Sequence, residues 1–331
     1  MEKRYDALDG IRAIAMIGIL VMHVLANLPY KNELEGLFLY VKHFGSFTSL
    51  FMMVSAFSVS CGYFKKIQES WNNVDTFYKK RYSKILPFFA FITLIDLILH
   101  FSEQNLYESF ANVTLVFGLI PHESITVIGV GWTLGVIFVF YLLYPFITFL
   151  MRDKKRFYTS LIVTFIYAFV VNDYFGLGKV DFLFCACYFL GGCWLYLYKE
   201  MIQEKCNRVV LGIVTLMLVV AYYYCSFNFV WAINYIRYLL FVFIVLYAIV
   251  VSDRKTILNM RVMKYLSAIS LEIYLCHMVI YRIIEKVNLL KVSENALISY
   301  IVVCVLTLIG AIILAITFKK IEEMIKAKRK R

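Results

Sequence analysis

Apolar residues along the chain gather into ten runs of about 20, separated by short polar segments in which Lys and Arg predominate. About 20 residues at ~1.5 Å rise cross the ~30 Å hydrocarbon layer of a bilayer, and a helix satisfies its own backbone hydrogen bonds there. The pattern predicts ten spans near 8–28, 44–64, 85–101, 129–150, 157–173, 181–198, 208–225, 233–251, 265–285 and 296–318, the third of them short. The fold class read from it is all-α, a polytopic membrane helix bundle. The segment 102–128 holds Glu103, Glu108 and Glu123 but no Lys or Arg, and its apolar stretch 113–120 is too short to cross. It is expected on the outer surface or dipping in beside the spans.

Charge sharpens the topology. Of the 34 Lys and Arg residues, 26 fall in segments 1–7, 65–84, 151–156, 199–208, 252–264 and 319–331, seven fall on the opposite side, and Arg12 lies inside the first span. That alternation is the positive-inside pattern of a chain with both termini in the cytoplasm. The formal charge of +12 is then mostly topological, so the basic tail implies anionic lipid and not nucleic acid. Composition agrees: 62% apolar, 17% charged and a mean hydropathy of +0.76 exclude a soluble enzyme. The eight cysteines lie mostly within spans, without C-x-x-C or metal-ligand spacing, so neither a disulfide framework nor a metal site is expected. The first apolar run has no small-residue cleavage site and reads as a retained span. Residues 1–331 are read as one membrane domain.

Ionisable groups within spans cost several kcal/mol and mark partners or watery cavities. In the first span, Arg12 and His23 are eleven residues apart, within about 20° of three full turns, so they share one face about 16 Å apart. Asp9, three residues before Arg12, can neutralise it. In the ninth span, Tyr274, His277 and Tyr281 share a face, Glu272 projects toward Cys276, and Arg282 with Glu285 reads as a surface pair. An anchoring Arg–Asp pair with packing histidines, a proton relay in a transporter and an enzyme's site are all compatible with these residues.

Four stretches are more specific. Residues 8–15 read LDGIRAIA and are followed by His23; residues 51–57 read FMMVSAF; residues 80–87 read KRYSKILP; residues 270–277 read SLEIYLCH. Their order and placement resemble the acyltransferase-3 family of multi-pass bacterial O-acyltransferases, whose corresponding patterns are LDGLRAIA with Arg-x10-His, FFxLSGF, RRxxRIxP and SYxIYLxH. The family's WSLxxExxFYxxxP signature is met by residues 132–145, WTLGVIFVFYLLYP, with Ile137 where the family has glutamate. Glu272 stands where the family has a small polar residue and is a candidate substitute.

The resemblance implies transfer of an acyl group, most simply acetyl, from cytoplasmic acyl-coenzyme A to a hydroxyl of a cell-envelope polysaccharide or another small acceptor, at the plasma membrane of a bacterium. No bound cofactor is implied, only the acyl-coenzyme A co-substrate. His23 is expected to act as general base, because a neutral imidazole accepts a proton near neutral pH. Arg12 is expected to hold a donor phosphate or to organise the inner pocket. Arg81, Lys84 and Lys80 are expected to contact the phosphates of coenzyme A from the cytoplasmic side, and Trp132, Tyr141, Tyr274 and His277 to line the cavity. No extracellular SGNH-type domain follows the tenth span, so the chain is expected to act alone or with a separate envelope-biosynthesis protein. A transporter or exporter of an envelope precursor and a catalytically silent membrane partner, the latter suggested by Ile137, are the competing expectations.

Overall fold

The computed structural model describes residues 4–115, 117–120 and 125–329; Lys3, Glu123, Lys330 and Arg331 lie outside them. Among the described residues there are helices and no strands. Ten long helices correspond to the ten apolar runs: α1 (Asp6–Asn27), α2 (Phe47–Glu69), α3 (Asn72–Leu99), α4 (Trp132–Met151), α5 (Lys154–Phe169), α6 (Phe182–Leu197), α7 (Arg208–Asn228), α8 (Ile233–Val251), α9 (Ser270–Lys286) and α10 (Ala296–Arg329). Among the described residues, seven helical segments are long and apolar enough to cross a membrane, or up to nine if two bent pairs each count as one span. The bends are 64° between α6 and Lys199–Lys205 and 68° between Arg261–Ala268 and α9. The fifth expected span is α5, whose 16 residues extend only about 24 Å at ~1.5 Å per residue, short of the ~30 Å layer.

The first helix is the axis of the bundle. It packs against α2, α8, α9 and α10. It runs antiparallel to α2: Gly18 abuts Phe47 near one end, and Arg12 donates to the Ser58 hydroxyl near the other. Asp9, Ser267 and Lys319 meet at the end where α1 begins, called here the basic end; His23 lies toward the other. By contrast α7 and α10 leave most of their apolar surface facing outward, as helices against lipid do.

Two glycines permit close approaches. A Cβ on Gly10 would run into the backbone of Leu258, so α1 presses directly on the Ile257–Asn259 turn. A Cβ on Gly192 would collide with the Met53 carbonyl oxygen and come within 2.8 Å of the Ala56 Cβ, which is how α6 and α2 pack backbone to backbone.

The polar segment 65–84 is not a loop. Helix α2 continues to Glu69 and carries Lys65 and Lys66, and α3 starts at Asn72, so the short third span is the second half of a 28-residue helix whose middle turns carry Lys79, Lys80, Arg81 and Lys84. The expected Arg282–Glu285 pair is also corrected: Arg282 binds Asp96 of α3 at 2.7 Å, and Glu285 is exposed. The Asp96 side chain is 4% exposed, and a carboxylate buried that far takes the nearest cation.

In the described parts of segment 102–128 the contacts gather on a single carboxylate. Ser102 caps helix Glu103–Thr114, and Glu108 on that helix accepts from the Thr126 amide at 2.7 Å, the Thr126 hydroxyl at 2.8 Å and the Val127 amide at 2.9 Å. Burial alone would raise the Glu108 pKa; the bonds from Val127, Gln104 and Thr126 overcome it and hold the carboxyl below its ordinary value. The depressed folded pKa means that Glu108 stabilises the segment fully above the unfolded value and loses that contribution as pH falls through the folded one.

Two measurements check these contacts. Gly192→Val should lower the melting temperature of the detergent-purified protein, since overpacking a backbone contact costs about 1–3 kcal/mol. Gly62→Ala, where nothing lies within 4 Å of the added Cβ, should not. Hydrogen exchange at the Thr126 and Val127 amides, corrected for intrinsic rates, should speed up on acidification below the carboxylate range. In Glu108→Gln that acid step should be absent, with weaker protection already at neutral pH.

Candidate active site

A cavity of about 340 Å3 opens among α1, α2, α3, α4 and the start of α9. It brings together Arg12, Arg81, Lys84, Tyr141, Glu272 and Tyr274, six of the residues singled out in the sequence. Arg12 reaches it from the second turn of α1, where Nη1 binds the Asp9 carboxylate at 3.1 Å and Nη2 donates to Ser58. Asp9 also accepts from Arg4 at 2.7 Å and from Ser267 at 2.9 Å, so three segments converge on one carboxylate.

Arg81 is held differently. Its guanidinium sits over the rings of Tyr63, Phe77 and Tyr141 at 5.1–5.6 Å, an arrangement that attracts a cation through the ring faces. Its Nε is buried without a hydrogen-bond partner, and no carboxylate among the described residues lies within salt-bridge distance. Phe77 precedes Arg81 by four residues, so that part of the cage was readable as helical spacing; Tyr63 and Tyr141 arrive from other helices and were not.

Glu272, 7% exposed, is the cavity's one lining carboxylate among the described residues and pairs with Lys319 of α10 at 3.1 Å. Ile137 lines the same cavity. With Arg12, Arg81 and Lys84 on the wall and Glu272 already matched by Lys319, the cavity carries an excess of positive charge. It suits a polyanionic ligand.

Lys80, expected at the donor phosphates, and Trp132, expected in the lining, lie elsewhere. Lys80 is exposed on α3 and does not line the cavity, because it sits one residue, about 100°, from the face that carries Arg81. Trp132 is half-buried and faces a second hollow formed with residues 117–120 and 175–183.

His23 opens on a third hollow, and His277, expected to line the large cavity, lines neither. His23 lines a space of about 180 Å3 with Val130, Leu275, Met278 and Arg282, away from the basic end. Its ring centroid is 5.4 Å from that of His277, which is 1% exposed. His277 Nδ1 meets the Tyr274 carbonyl at 2.6 Å, while its Nε2 is buried with no partner. That carbonyl bond requires Nδ1 to carry the proton, leaving Nε2 free to accept one.

Tyr274 stands between the two spaces. Its hydroxyl donates to the Val130 carbonyl at 2.8 Å and lies 2.9 Å from the Thr133 hydroxyl, so the wall of the larger cavity is tied to the wall of the histidine hollow. Sequence reasoning placed Tyr274 and His277 on one face but missed Thr133 and Val130, because the contact depends on the irregular turn Gly129–Gly131 that precedes α4.

No curated protein and no solved structure matches the chain. A family model described as an acyltransferase domain matches residues 5–316 and so takes in every helix that builds the two spaces. The chain therefore belongs to the acyltransferase-3 family, a multi-pass membrane acyltransferase by membership and by its helices.

Proposed function

We propose that the protein moves an acyl group, in the simplest case acetyl, from acyl-coenzyme A to a hydroxyl of a cell-envelope glycan or similar small acceptor in a bacterial plasma membrane. The observation that carries this reading is the convergence of Arg12, Arg81 and Lys84 on one cavity in which Arg81 has no carboxylate partner among the described residues. A half-buried cation left in that state gains most from an anionic ligand, and the phosphates of coenzyme A are such a ligand.

His23 is the general base. It takes the proton of the acceptor hydroxyl as the oxygen attacks the thioester carbonyl. The carbon–sulfur bond then breaks, and the imidazolium returns its proton to the departing coenzyme A thiolate. His277 orients His23 through their ring contact. The Tyr274 hydroxyl bridge between the spaces opens for the thioester to meet the acceptor. Glu272, fixed by Lys319, orients groups in the donor cavity in place of the carboxylate that Ile137 lacks.

Purified protein given acetyl-coenzyme A and an envelope extract should release free thiol. His23→Ala should abolish the release while leaving the melting temperature in place. Arg81→Ala should raise the KM for the donor at least tenfold with a smaller change in kcat, since a hydrogen bond to a charged group contributes about 1.5–3 kcal/mol. Full release by the His23 variant would remove that residue from the base role. No release by the wild type would favour the silent partner that Ile137 suggests, and flux of an envelope precursor without acyl donor would favour a transporter.

A further inference from the structure

A separate cavity of about 150 Å3 lies toward the end of the bundle opposite the basic one, between the segment that joins α1 to α2 and helices α6, α7 and α8. Its volume is roughly the share of five water molecules at ~30 Å3 each. Lys42, Lys179 and Arg237 line it together with His43, Ser46 and Tyr222, and no lining residue is a carboxylate. These three cations are drawn from only seven Lys and Arg residues on that side of the chain. Cations are scarce there by the positive-inside bias, so three gathered at one small polar cavity is a concentration that topology does not supply.

The partners inside the cavity neutralise none of this charge. Arg237 donates to the Asn234 side-chain oxygen and, at 3.4 Å, to the Tyr188 hydroxyl. Both acceptors are uncharged, and among the described residues no carboxylate lies within salt-bridge distance of Arg237, Lys42 or Lys179. His43 Nδ1 meets the Tyr222 hydroxyl at 3.1 Å, while its Nε2 is buried with no hydrogen-bond partner. His43 Nε2 is the buried orphan here; Lys42 and Lys179 are exposed at the rim and Arg237 is half-buried, and an acceptor group in the space would pair with the ring nitrogen and face all three cations.

We propose that this cavity is an oxyanion-binding site, taking a phosphoryl or carboxylate group between Lys42, Lys179 and Arg237. It is distinct from the donor cavity and does not depend on acyl transfer. Its floor packs on α1 beside the histidine hollow: a Cβ on Gly45 would touch the side chain of Met22, the residue before His23. The oxyanion belongs either to a soluble molecule or to the headgroup of an anionic phospholipid, and the chemistry of the site is the same for both.

The test uses the full chain in phosphatidylcholine nanodiscs, titrated with inorganic phosphate against chloride at equal ionic strength, with melting temperature as the readout. The expected result is a saturable rise that persists in Arg81→Ala and whose midpoint moves at least tenfold in the double variant Lys42→Gln, Lys179→Gln. Both lysines lie outside the ten long helices, so the double variant is expected to fold; Arg237→Gln is a second variant whose unliganded melting temperature reports its fold separately. A response indistinguishable from chloride, or one unchanged in the double variant, overturns the proposal. In discs containing phosphatidylglycerol, an undiminished phosphate response identifies a soluble ligand. A response lost there, with a raised starting melting temperature that the double variant lacks, identifies the lipid headgroup.

Discussion

A charged side chain buried among apolar helices is tolerated only where something matches it, and Asp9 is the match on which the site depends. The carboxylate binds Arg12 one turn further along α1, Arg4 before the helix and Ser267 ahead of α9. Leaving a buried ion unpaired costs about 3–5 kcal/mol, so removing Asp9 would release Arg12 and loosen three segments at once. The same carboxylate fixes direction: because it engages Nη1 of Arg12, Nη2 is left to cross to Ser58 on α2. Gly10 lies between the two ions, where the bare backbone presses on Leu258. The stretch Asp9-Gly10-Ile11-Arg12 is thus one device, a pair of ions and a close contact that together set α1 against its neighbours.

The other ions drawn into the bundle fall into two groups. Arg282 is matched by Asp96 and Glu272 by Lys319, and these pairs lock helices to one another. Arg81 and Arg237 are held by aromatic rings, hydroxyls and an amide, none of which cancels a charge. Such partners position a guanidinium while leaving its field intact, which serves binding better than it serves stability. The protein thus has two electropositive spaces toward opposite ends of the bundle, Arg12 of α1 lining one and Met22, next to His23, packing against the other.

Much of this was legible in the sequence, and the lapses share a cause. Hydropathy located all ten long helices because desolvation acts on each segment separately. It misjudged the start of α3, since residues 72–84 are polar yet remain helical at the membrane edge, and hydropathy cannot tell a helical polar segment from a loop. The Asp9–Arg12 pair was readable because its members are one turn apart on a single helix. The Arg282–Asp96 pair was not, being 186 residues apart in the chain, and the local Glu285 offered a misleading alternative. The division of the expected site residues between two spaces was illegible for the same reason: periodicity assigns residues to a face of a helix but not to the space that the face meets.

That division bears on Ile137. A glutamate at this position would lie on the wall of the cavity that holds Arg12, Arg81 and Lys84, and would offset part of their charge. Isoleucine leaves that charge for the ligand, which favours a polyanionic donor, but removes an acceptor of protons from the donor side. Glu272 lines the same cavity but is already engaged by Lys319 at 3.1 Å. On the acyl-transfer reading, proton transfer then falls to His23 beyond Tyr274, with His277 packed against its ring. On the same reading, binding of the donor and activation of the acceptor fall to different spaces, and the Tyr274 hydroxyl, bonded to Val130 and close to Thr133, would be the contact that yields for them to meet.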